Sequence, residues 1–400
     1  MKKRIFALIL TTLLLIGSFA GCGNSGKKGD TPDTPQVDDN EQEQEQDTNI
    51  ENNDNPDNDN NDGTKVPEVN HDNEVRSVLT NEWIPKSNEN RRPLALMVPN
   101  DKAALPHYNI SDAGVIYQCS VEEPFTRLMV LYDDYESLGD RIGNVRSART
   151  YFIYWAMEWD PLFIHFGGPK LYVSDILKSG LISSVDLTNS PKGTEKSAGK
   201  ETESGLKAHY YRATDRKAPQ NAYVSAASIE NAINSKKYSK TYTDLYKGAH
   251  FTFADENNPV DLSKTGYAIE CNTLDFKNIY THDKTYFLYD SNEKKYLRYQ
   301  FGEAHVDEAT GEQLAFENII VQFCNWRKLD AKGYLEFYFK EGMNGYYITN
   351  GYAIPITWEK GDDYALTKYY DPNGNEIVLN TGKTMICIVE DTAEDSLTIN

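Results

Sequence analysis

Between Phe19 and Trp83 the chain carries no aromatic residue, and this gap confines any packed core to the residues after it. Residues 23–80 hold 16 acidic and 4 basic side chains set among Asn, Gln, Pro and Gly. The alternating run from Glu41 to Gln46 and the Asn/Asp run from Asn52 to Asp62 cannot bury enough apolar surface to offset chain entropy. Residues 22–80 therefore read as a disordered acidic tether. A flexible chain of that length spans roughly 40 Å root-mean-square. The formal charge of −20 over 400 residues argues against nucleic acid as a partner and against polybasic docking on lipid.

Ahead of the tether, Lys2, Lys3 and Arg4 precede an apolar run from Ile5 to Ile16, and Phe19-Ala20-Gly21 lead into Cys22. A basic start, an apolar stretch too short to span a bilayer and small residues before a cysteine predict a lipoprotein signal peptide over 1–21. Cys22 is the expected lipidation site, which places the protein at the extracytoplasmic face of the cell membrane on a lipid anchor. Cys119, Cys271, Cys324 and Cys387 form no close CxxC pair and sit in apolar or aromatic runs. That pattern predicts buried free thiols over two buried pairs. No metal site and no cofactor is expected.

The residues after the tether predict an α+β fold in two parts. Over 81–265, Leu94 to Val98, Val115 to Tyr117, Arg127 to Tyr132 and Leu162 to Phe166 read as buried strands. Ala148, Phe152, Trp155, Ala156 and Trp159 recur at helical spacing, with Ser147 as the expected N-cap and Pro161 as the stop. Further helices are expected across Leu171 to Lys178 and Ser225 to Asn234. This part is a mixed α/β domain with helices covering a sheet. Over 266–400 the helical pattern gives way to a β-rich meander of short strands. Its clearest turn is Asn350-Gly351, a type I′ hairpin pair.

Val145-Arg146-Ser147-Ala148-Arg149 lies where a polar loop becomes the aromatic helix. Two guanidiniums beside a helix amino end, which is already positive, call for a nearby anion. Either Glu122, Glu123, Asp133 or Asp134 folds back to pair them, or an external phosphate or carboxylate does. Arg127, His165 with Gly167 and Gly168, and the basic island holding Arg212, Asp215, Arg216 and Asn221 are the other expected contributors to an anion-binding site. A lone His on an apolar strand is also a common core residue. No catalytic motif is found among G-x-S-x-G, H-E-x-x-H, P-loop or dinucleotide patterns.

The run Ile142 to Arg149, followed by His165-Phe166-Gly167-Gly168 and Asp215 to Asn221, resembles the YerB-like family of bacterial lipoproteins. The resemblance continues through Tyr296-Leu297-Arg298, His305-Val306-Asp307, Asn318 to Val321, Asn350-Gly351 and Gly382-Lys383-Thr384, covering roughly residues 90–390. It implies two domains of uncharacterised function on a lipid anchor. Asn144 stands where the family pattern has Pro, and Gln220 where it has His. The sequence thus predicts a non-enzymatic envelope protein that binds an anionic wall or membrane component or a partner protein. The alternatives are an enzyme acting on phosphate-bearing envelope polymers and an assembly scaffold with no small ligand. In the enzyme reading, Asp215 or His165 would move a proton.

Overall fold

Leu94, Leu96 and Val98 face one core, Ala95 and Met97 face another, and none is more than 1% exposed. An apolar run without polar alternation is what a strand covered on both faces requires. The structure, a computed structural model, describes residues 70–198, 200 and 207–400. The leader, Cys22 and the tether as far as residue 69 lie outside the described residues. The fold takes in residues ahead of Asn81: Glu74–Arg76 pairs with Trp83–Pro85, and Leu79 is fully buried.

Strands β1 (Leu94–Pro99), β2 (Val115–Ser120) and β3 (Thr126–Tyr132) lead to helix α1 (Thr150–Met157). Then come β4 (Leu162–His165), α2 (Lys170–Leu177), β5 (Ser183–Asp186) and α3 (Ala226–Lys236). Past Lys236 the described residues contain no further α-helix. The main later strands are β6 (Tyr286–Asp290), β7 (Lys295–Gln300), β8 (Asn318–Cys324), β9 (Met343–Thr349), β10 (Tyr352–Glu359) and β11 (Thr384–Glu390). Asn350 and Gly351, at φ 49° and 80°, make the tight turn between β9 and β10.

One eleven-stranded sheet runs through both halves in the order β10-β9-β8-β11-β2-β3-β1-β4-β5, with two short strands, Ile269–Glu270 and Lys368–Tyr370, on β10. Strand β11 is the seam. It lies parallel to β8 on one side and to β2 on the other, with Thr384 opposite both Asn318 and Val115. The sequence change near residue 265 thus marks a change of element type, and the sheet continues across it. On one face, Phe152 and Trp155 of α1 and Val173 of α2 pack with Phe163, Trp358 and Ile386. On the other, Ile229 of α3 and the six-stranded sheet built around β6 and β7 pack on Leu96, Ile116 and Met385. Cys119, Cys271, Cys324 and Cys387 are buried and free.

A buried polar network fixes the corner where β1 ends. The Asp283 carboxylate accepts from Asn100 Nδ2 at 2.6 Å, from Gln118 Nε2 at 3.1 Å and from the hydroxyls of Thr126 and Thr285. The buried Arg298 guanidinium donates to Gln118 Oε1 at 2.8 Å and to His305. His305 in turn meets His107 Nδ1 at 2.9 Å, and the other ring nitrogen of His107 bonds Pro99 O at 2.8 Å. Burial holds His107 down to about 3 and His305 well below its usual value, so both rings are neutral links in this chain.

The helix start departs from the sequence reading. The N-cap of α1 is Arg149, in extended backbone (φ −130°, ψ 155°) with no side-chain cap; Ser147 lies outside the helix. Residues 145–148 run as an extended ribbon. Val145 N–H donates to Ala222 O, Arg146 N–H to Met97 O and Ala148 N–H to Gly167 O. These ladder-like bonds satisfy donors that an earlier helical turn would leave open.

Candidate functional site

The carboxyl ends of the parallel strands β1, β2 and β4 converge on the amino end of α1, where open α/β sheets place ligands. Arg127, 5% exposed, donates Nη1 to Ser147 O at 2.8 Å, while its Nε is buried without a partner. Burial, and then the neighbouring Arg149 and Arg146, bring Arg127 down to about 9. Arg149 is fully committed: Nε and Nη2 meet the two oxygens of Glu122 at 2.7 and 2.6 Å, and Nη1 meets Ala148 O at 2.8 Å. Arg212 donates to Asn221 Oδ1 at 2.7 Å and lies over the Phe166 ring, 4.9 Å from its centroid.

Arg146 differs from the other three. It is half-buried, its Nε is buried without a partner, and its guanidinium has no hydrogen bond or ion pair among the described residues. Burial lowers its pKa; Arg149 and Arg212 push the same way, against Asp101 and Glu122. Next to it, Asn144 Nδ2 donates to Gln220 O at 2.7 Å and Gln220 Nε2 donates to Asp101 Oδ2 at 2.6 Å. The amide oxygens Asn144 Oδ1 and Gln220 Oε1 are both buried without a donor.

The four acids expected as internal partners divide unevenly. Glu122 pairs with Arg149, Glu123 reaches Lys328 at 3.4 Å, Asp134 reaches Arg91 at 3.2 Å, and Asp133 accepts from Ser77 Oγ at 2.5 Å. None pairs with Arg146. Internal pairing therefore describes Arg149 alone.

Other predicted contributors fall into two groups. Ser147 and Gly167–Gly168 border the arginines: Ser147 Oγ donates to Phe166 O at 2.9 Å. A Cβ at Gly168 would lie 3.0 Å from Val173 Cγ2 and 3.2 Å from Ala148 O, so this glycine lets α2 approach the loop. Asn221 orients Arg212, as above. The remaining three are engaged elsewhere. His165 is fully buried with one ring nitrogen on Gly167 O at 2.8 Å and the other on Ser184 Oγ at 2.9 Å, a satisfied core histidine. Asp215 is exposed and pairs with Arg141 at 2.8 Å. Arg216 donates to Ala104 O at 2.5 Å and lies over Tyr108. Sequence reasoning missed Asp101, for which a polar Asn100-Asp101 pair closing an apolar strand was the available signal, and noted Gln220 only within the family motif.

Residues 79–239 match the N-terminal domain, and residues 274–386 the C-terminal domain, of the family described as protein of unknown function DUF3048. YerB of Bacillus subtilis (strain 168), which carries the provisional description of a lipoprotein, is 26% identical over 309 residues, 75% of this chain and 82% of YerB. The chain belongs to the YerB-like family of bacterial lipoproteins. The crystal structure of the Bacillus subtilis YerB protein shares the fold, with a TM-score of 0.66 and 22% identity over 82% of this chain and 99% of that one. Within this YerB-like chain the Asn144 side chain meets the Gln220 main chain two residues from Arg146. Among the described residues no group of three or more His, Cys, Asp or Glu is placed to hold a metal ion. No helix among them is long and apolar enough to cross a membrane.

Proposed function

We propose that this YerB-like protein is a lipid-anchored, non-enzymatic binding protein of the cell envelope that holds an anionic group at Arg146. The reading rests on one observation: among four clustered guanidiniums, Arg146 alone is half-buried with no hydrogen bond or ion pair among the described residues. Burial lowers the pKa of Arg127 and Arg146, and the neighbouring guanidiniums add repulsion in the same direction. A bound phosphate or carboxylate would relieve that repulsion and accept from the unpaired Nη–H groups of Arg146. The engagement of His165 and Asp215 elsewhere favours binding over proton transfer. The Phe19-Ala20-Gly21-Cys22 sequence and the description of the Bacillus relative support the anchor and the extracytoplasmic location.

The test is calorimetric titration of the purified protein with inorganic phosphate and with sulfate. One site is expected, lost in Arg146→Ala and retained in a control at the exposed Lys332. Equal heats from wild type and Arg146→Ala would sink the assignment.

A further inference from the structure

A groove of about 650 Å³ adjoins the arginine cluster. The residues that border the cluster also line the groove: Ser147, Gly167 and Gly168, together with Phe166, whose ring carries the Arg212 guanidinium. From there it runs along α2 toward the end of α3. Lys170, Lys178 and Lys236 border it, all exposed, and none has an ion-pair partner among the described residues. Its carboxylate, Asp186, is occupied: Oδ1 accepts from the N–H groups of Gly167 and Thr188, both at 2.9 Å. In a chain of net charge −20, a groove lined by three free cations and one tied carboxylate is a local reversal of sign.

The lining also carries short polar side chains, Ser174, Thr188 and Asn189, between the lysines. Lysines act as point charges toward phosphate oxygens, while hydroxyl and amide groups suit alcohols. The volume falls in the range that accommodates an extended ligand, several times what one phosphate fills. Flat aromatic platforms, which single-stranded nucleic acids stack on, are missing from the lysine-lined part. Tyr238, at its far end, has its hydroxyl on Ser184 O at 3.0 Å.

We propose that the groove takes a linear, hydroxyl-bearing phosphodiester polymer, with one phosphate at Arg146 and the following ones over Lys170, Lys178 and Lys236. This rests on the anion reading of Arg146 and extends it from a single group to a repeating chain. Each added phosphate engages a cation already held near the first, so affinity should climb with length until the groove is full.

The probes are inorganic phosphate and oligo(glycerol phosphate) of one to eight repeats, titrated against the purified protein at fixed ionic strength. Affinity should rise at least about tenfold between one and four repeats and then level off. The exposed triple variant Lys170→Gln/Lys178→Gln/Lys236→Gln should lose that rise while binding inorganic phosphate as wild type does; Arg146→Ala should lose both. Length-independent binding with an intact Arg146-dependent phosphate site overturns the groove proposal and leaves the anion site standing. Absence of any phosphate binding overturns the anion site itself. A length effect that survives the triple variant, or single-stranded RNA of equal phosphate count binding as tightly, overturns the assigned polymer class.

Discussion

Replacing Glu122 by Gln should weaken the fold and tighten anion binding, two effects of opposite sign from one charge. Arg149 spans both Glu122 oxygens at 2.7 and 2.6 Å, with side chains 8% and 27% exposed. A glutamine keeps an acceptor for one of these N–H groups, removes the charge and sets an amide nitrogen against the other. Breaking a fully buried pair costs about 3–5 kcal/mol. Here one bond survives and the Glu122 edge meets water, so about 2 kcal/mol is expected. The part of the chain that starts at residue 70 has an unfolding entropy of ~0.7 kcal/mol/K, so the melting temperature should fall by about 3 °C. Glu122 also acts electrostatically on Arg146. Removing one unit charge roughly 10 Å from a bound anion, at an effective dielectric of about 30, is worth ~1 kcal/mol. Phosphate should then bind about fivefold more tightly. Melting curves without anion and phosphate titrations of Glu122→Gln, wild type and Arg149→Ala separate the two terms. Arg149→Ala should lose stability and still bind phosphate. Weaker phosphate binding by Glu122→Gln, or an unchanged melting temperature, would refute the division of roles between the two arginines.

Glu158 supplies an acid-sensitive lock. Burial opposes its charge, but Lys360 Nζ and His250 Nε2, both at 2.6 Å, hold it down to about 2. A carboxylate depressed from 4.5 gives stability that is fully present above pH 4.5 and lost as pH falls through about 2, roughly 3 kcal/mol in all. Urea unfolding of Glu158→Gln should show a loss of at least about that size at pH 7 and a flatter profile between pH 4.5 and 2; wild-type stability at pH 7 would contradict the pairing. Cys22→Ala should release the protein from membranes or leave it unprocessed, and a variant that fractionates and migrates like wild type would remove the lipoprotein assignment.

The strands were legible because burial on both faces leaves a continuous apolar run, as in Leu94 to Val98 and Leu128 to Tyr132. The Asn350-Gly351 turn was legible because positive φ selects those residues. The sheet order was not: the parallel pairing of Thr384–Glu390 with Val115–Ser120 joins strands more than 260 positions apart, and no local pattern encodes it. The helix start was misplaced by two residues because Ser147 is a good cap by type, while tertiary backbone bonds to Met97 and Gly167 keep its segment extended. At the site, residue types pointed to Arg127, Arg146, Arg149 and Arg212 together. Which of them is paired depended on where Glu122 lands, and that is a property of the folded sheet edge. His165 shows the same limit from the other side: Gly167 O is a local partner, but Ser184 Oγ comes from the neighbouring strand.

The placement of the two motif arginines explains how the chain can keep one guanidinium unpaired without losing the loop that presents it. Arg149, at the N-cap, is bound by Glu122 from the end of β2 and by the Ala148 carbonyl, so it clamps the helix start to the sheet. Arg146, three residues earlier, has its main chain held by Met97 O on one side and by the Phe166 N–H on the other. Its backbone is therefore fixed by strands, and its side chain contributes little to holding the loop. A residue anchored by its backbone and free at its charged end loses little conformational entropy of the loop when an anion arrives. The same frame predicts an asymmetry in mutation: losses at Arg149 fall on stability, and losses at Arg146 fall on binding. A reader of the motif alone would rank the two arginines equally; the difference comes from which end of each residue the fold has already used.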